Sequence, residues 1–202
     1  MIAVAPERLD GWLQRFAADH GALVWAIDGA MAVARAADGT VVQCAIPFPP
    51  LDQADVLVSH ALRARTIGVL LVRLGGFAAG VFAGGTLVGS KCGSRLVHGR
   101  SAAGGQSQQR FARRRENQAR AALDAAVAAA VAVLLPVRET LDGIVVGGDR
   151  HAVDTVMGDP ALAPLRALVT GRLLDVPDPR RKVLVEAGAM ARLVHVRIVE
   201  VA

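Results

Sequence analysis

The sequence predicts an α/β fold, and three observations carry that reading. Short runs rich in valine, isoleucine and alanine are punctuated by glycine turns. Stretches with helical periodicity fall between those runs. One long helical stretch, basic at its start and apolar at its end, separates the central strands from a later one.

The elements follow in chain order. Pro6–His20 carries Leu9, Trp12, Leu13 and Phe16 at helical spacing and reads as a core-facing helix. Residues 22–27 and 30–36 read as strands joined at Asp28-Gly29, a hairpin dipeptide, and Asp38-Gly39 turns the chain into a third strand over 41–46. Pro47, Pro49 and Pro50 then stop regular structure. They mark a sub-boundary inside a single domain of residues 1–202: a helix-and-strand extension over 1–50 and a core over 52–202. Residues 52–66 read as a helix whose apolar stripe is Val56, Leu57, Ala61 and Leu62, with His60 beside it as a surface or hydrogen-bonded core residue. Strands at 67–74 and 77–82 turn at Gly75-Gly76, and Gly84-Gly85 starts a third at 86–88. That ladder leads into a glycine-rich loop, 89–106, and then into a helix over 107–135.

Residues 141–146 read as a buried strand ending at Gly147-Gly148-Asp149, with a helix over 150–157. A strand–glycine–helix unit has the form of a phosphate site, but the Gly-x-Gly-x-x-Gly and Walker patterns are missing, which leaves a tight structural turn. A short helix at 164–169, a polar turn at 177–181 whose Asp178 is placed to cap a helix over 182–191, and a strand over 193–201 complete the chain.

Composition narrows the function classes. With 202 residues, 53% hydrophobic and 3% aromatic, without tyrosine, the core must be filled by alanine, valine and leucine. The net charge is +5 and the pI about 10.5, and Lys91 and Lys182 are the only lysines. Arginine grips phosphate with two parallel donors, so the balance leans toward nucleic acid. Cys44 and Cys92 lack metal-ligand spacing and read as reduced thiols of a cytoplasmic protein. The apolar run 121–135 is interrupted by Asp124 and closed by Pro136, which reads as a buried helix too short for a membrane span. Asp28, Asp142 and Asp149 do not have the spacing of a metal site.

One stretch carries chemistry. Gly104-Gly105-Gln106 is followed within nine residues by Arg110, Arg113, Arg114 and Arg115, with Arg100 before it and Arg120 beyond. Glycines remove side chains that would hold a ligand away. Helical spacing puts positions 110, 113, 114 and 117 on one face. Six arginines from 100 to 120 stand against one carboxylate, Glu116, a density suited to phosphate contact.

Gly104-Gly105-Gln106-Ser107, then Arg110-Phe111-Ala112-Arg113 and Arg115, resembles the middle domain of eukaryotic and archaeal class-one release factors. It resembles more closely the stand-alone release-factor-like peptidyl-tRNA hydrolases of ribosome quality control, including an actinobacterial branch. The resemblance implies a ribonuclease-H-like α/β domain with a mixed sheet, a protruding Gly-Gly-Gln loop and a long basic helix. It implies partners too: the large ribosomal subunit and peptidyl-tRNA, with no DNA, membrane, metal or cofactor. In that family Gln106, Gly104 and Gly105 would promote water's attack on the peptidyl ester, and Arg100, Arg110, Arg113, Arg114, Arg115 and Arg120 would track RNA. A glutamine side chain cannot act as a general base, but it can orient water, and backbone N–H groups beside glycines can stabilise an oxyanion. His98-Gly99-Arg100 resembles the family's basic lead-in, here set apart from the glycines by Ser101-Ala102-Ala103, so the loop is longer. Cleavage of RNA near the tRNA acceptor end and non-catalytic RNA binding are the alternative readings.

Overall fold

The computed structural model describes residues 1–94 and 107–199, with side chains at all of these except 107–115. In chain order the elements are β1 (Ile2–Val4), α1 (Pro6–His20), β2 (Leu23–Asp28), β3 (Met31–Ala36), β4 (Val41–Ala45) and α2 (Leu57–Leu62). Then come β5 (Thr66–Arg73), β6 (Gly76–Ala83), β7 (Thr86–Ser94), α3 (Ser107–Leu134), β8 (Gly143–Gly148), α4 (Arg150–Met157), α5 (Arg181–Met190) and β9 (Val194–Val199). Three 3₁₀ segments, Ala54–Val56, Leu135–Thr140 and Pro160–Leu168, complete the described secondary structure. The fold is mixed α/β with two sheets.

The chain divides into two compact units, Met1–Ala64 with Ala189–Ala202, and Arg65–Gly188. The expected sub-boundary at the prolines therefore falls inside the first unit, and the last strand returns to it. The first unit holds an antiparallel sheet in the order β1-β9-β4-β3-β2. The predicted hairpins are both present: Asp28 pairs with Met31 across one turn, and Arg35 with Val41 across the other. Its core gathers Leu9, Leu13 and Phe16 from α1 with Ala34, Val42, Cys44 and Val196 from the sheet. Pro6 opens α1 at the position where a missing N–H costs nothing. Arg192 reaches Glu7 at 2.7 Å, tying the stretch just before β9 to that helix.

The helix expected over 52–66 is shorter. A 3₁₀ turn precedes α2, and Thr66 belongs to β5. Val56 and Leu62 of its anticipated stripe are exposed, whereas Leu57 and Ala61 are buried. Thr66 is drawn away by a partner far along the chain. Its N–H donates to the Asp142 carboxylate at 2.7 Å, and the Asp142 N–H donates to the Thr66 carbonyl at 2.8 Å. His60 is a buried core residue, its Nε2 2.8 Å from the Pro47 carbonyl.

The second unit holds a mixed sheet in the order β7-β6-β5-β8, with β5 and β8 parallel and the other pairs antiparallel. The helix α3 covers one face, where Ala126, Ala129, Ala130 and Leu134 pack with Val72, Phe77, Ala79 and Val81. Alanine on that helix permits a close approach, and Gly93 admits the Phe77 ring: a Cβ there would lie 2.4 Å from the ring. On the other face Leu184 of α5 lies against Gly80, and Gly188 against the Phe82 ring. The stretch Glu116–Thr140 is longer than the apolar run seen in the sequence, and by length and composition alone it could cross a membrane. Its alanine-and-leucine side is occupied by the sheet.

Candidate functional site

The strand β7 is an edge strand that delivers the chain to the motif. The sequence placed residues 89–94 in the loop, but they extend β7 to Ser94, paired with Gly76. Pairing with β6 overrides the local glycines Gly89 and Gly93. A Cβ at Gly76 would lie 3.0 Å from the Gly93 carbonyl and 3.4 Å from that of Pro179, so the exit from the sheet is tightly held. The helix α3 begins at Ser107.

The helix α3 is longer than the sheet beneath it. Its 28 residues span ~42 Å at ~1.5 Å per residue, whereas the eight residues of β5 span ~26 Å. Leu134 lies at the sheet end where β5 begins, against Gly68, so the surplus runs toward the end from which Ser94 departs. Among the described side chains of α3, Ala122 is the first that is buried, and Glu116, Asn117, Gln118 and Arg120 are exposed.

Gly104, Gly105, Gln106 and Arg100 lie outside the described residues, as does the protruding loop expected to carry them. Positions 110, 113, 114 and 115 are on the α3 backbone, in its first turns. Arg120 is exposed, with the exposed Glu116 and Asp124 one turn to either side.

Other candidate centres resolve into structural roles. The Asp149 carboxylate accepts from the Ala152 N–H at 2.8 Å and caps α4, placing a negative charge where a phosphate would have to sit. Asp142 is engaged with Thr66. Asp178, expected to cap the last helix, lies beside Gly75. Burial pushes the Cys44 thiol up to about 12, and burial also raises Cys92 against the opposing pull of Arg181. Both cysteines are therefore poor nucleophiles near neutral pH. Sequence reading passed over one cationic group. Arg180, Arg181 and Lys182 open α5, and Arg181 donates to the Ser90 hydroxyl on β7 at 3.1 Å.

Residues 65–197, more than half the chain, match the sequence pattern of the Actinobacteria/chloroflexi VLRF1 release factor. The chain belongs to that family. The matched span begins with the second unit at Arg65 and runs into β9. Membership makes the protein release-factor-like, with a role in translation. Among solved structures it is similar to the archaeal translation termination factor aRF1, at 17% identity and a TM-score of 0.47, covering 79% of this chain and 51% of that one. A second structure, described as an archaeal protein, shares 19% identity at a TM-score of 0.39, covering 76% and 48% respectively. The chain thus spans about half the length of the solved structures it resembles. No curated protein matches it.

Proposed function

We propose that the protein is a cytoplasmic, ribosome-dependent peptidyl-tRNA hydrolase that frees nascent chains from stalled ribosomes without reading a codon. The observation that carries this reading is the sequence Gly104-Gly105-Gln106 immediately before Ser107, where a 28-residue helix begins, inside the span that matches the family.

The loop enters the peptidyl-transferase centre of the large subunit. There the Gln106 backbone N–H stabilises the oxyanion and its side-chain amide positions the attacking water. Water oxygen bonds to the ester carbonyl carbon, the bond to the terminal ribose oxygen breaks, and the proton passes to that oxygen. The base is supplied by RNA. Arg100, Arg110, Arg113, Arg114, Arg115 and Arg120 contact phosphates and hold the loop in place.

The test is peptide release from ribosomes carrying a radiolabelled nascent chain. Gln106→Ala should slow release by about 100-fold or more while ribosome binding stays near wild type. Release at the wild-type rate would overturn the proposal. An intact terminal adenosine on the freed tRNA marks ester hydrolysis, whereas loss of terminal nucleotides marks cleavage of the RNA.

A further inference from the structure

The second unit carries another concentration of positive charge, around the edge strand that feeds the motif. Arg180, Arg181 and Lys182 are exposed and consecutive, at the start of α5. A helix N-terminus carries a partial positive charge, so cations there cost stability, and the first turn of α5 lacks an acidic residue. The Arg181–Ser90 hydrogen bond fixes this group against one face of β7. Side chains alternate along a strand, so the exposed Lys91 stands on the opposite face of the same edge. Both lysines of the chain are therefore in this group. Among the described residues its counter-charges are sparse: Glu186 is 4.0 Å from Lys182 at an exposed site, and Asp178 lies beside Gly75. An exposed ion pair at that distance contributes little.

We infer that Lys91, Arg180, Arg181 and Lys182 form a second RNA-phosphate contact, a basic collar gripping both sides of the strand that leads to the motif. The inference rests on the proposed ribosomal role. Its chemistry is that of a polyanionic backbone: cations spread over both faces of an edge strand match spaced phosphates better than they match one bound anion. Contacts here would fix the near end of the loop, as those of α3 fix its far end.

The measurement is the salt dependence of full-length protein binding to large ribosomal subunits. Replacing Lys91, Arg180 and Lys182 together by glutamine leaves the Arg181–Ser90 bond in place. The slope of log K against log salt should fall by about two to three, near one per lost phosphate contact. Exposed Arg15→Gln, on α1, is the comparison and should leave the slope unchanged. The charge-conserving variant Lys91→Arg with Lys182→Arg, in an otherwise native chain, should keep the native slope. An unchanged slope in the triple variant overturns the inference. So does a fall in binding to vesicles with anionic headgroups that is not matched on the subunits. Peptide release by Gln106→Ala is read separately, so failure of the collar and failure of the proposed hydrolysis give different results.

Discussion

A methyl group at Gly148 would collide with the chain's own backbone. The residue has φ +105°, and a Cβ would lie 2.2 Å from the Val72 carbonyl oxygen. That carbonyl accepts the Asp149 N–H at 2.9 Å, so it cannot move aside without loss. Gly148→Ala should therefore destabilise the protein by about 2–4 kcal/mol, combining left-handed strain with overpacking. A urea titration of the second unit's unfolding checks this. The glycine pair was visible in the sequence as a turn. Its collision partner was not, because Val72 lies on another strand and only the β5–β8 register brings the two together. The reading of His60 succeeded for the opposite reason: a solitary histidine beside an apolar stripe needs only one acceptor, and the Pro47 carbonyl supplies it.

Elements with their own signals were legible. The helix α1 has proline at its first turn and a regular apolar stripe, and α4 has Asp149 as its cap. Asp149→Ala should cost about 1 kcal/mol, and Asp149→Asn only a fraction of that, as measured by thermal unfolding. A larger loss with asparagine would mean that the carboxylate's charge matters beyond the hydrogen bond. Elements that depend on distant partners were misread. Residues 89–94 have loop composition but pair along β6, and Thr66 left its helix for Asp142. The basic character of early α3 was legible from spacing alone, because four arginines in six positions need no tertiary information. The collar was not legible, since Arg181 meets Ser90, the neighbour of Lys91, only across ninety-one positions of sequence.

At the scale of the whole molecule, acid should weaken the unit formed by Met1–Ala64 with Ala189–Ala202. The hydrogen bond from His20, with that from the Thr40 N–H, holds the Asp38 carboxyl below its ordinary value. Backbone hydrogen bonding and then Arg192 do the same for Glu7. Groups with depressed values stabilise the fold above the ordinary carboxylate range, about pH 4, and that contribution is lost as pH falls through the depressed values. Melting temperature should therefore decline below about pH 4–5, and less steeply in Asp38→Asn. An equal decline in that variant would remove Asp38 from the account.

The sheet of that same unit has another consequence, one of timing. Its β9 strand lies between β1 and β4 yet is made after everything in the second unit. Ribosomes emit chains from the N-terminus, and domains ordinarily close in that order. Here that order is broken: β1 and β4 must wait, with a gap between them in their sheet, until β9, made after the whole second unit, arrives to fill it.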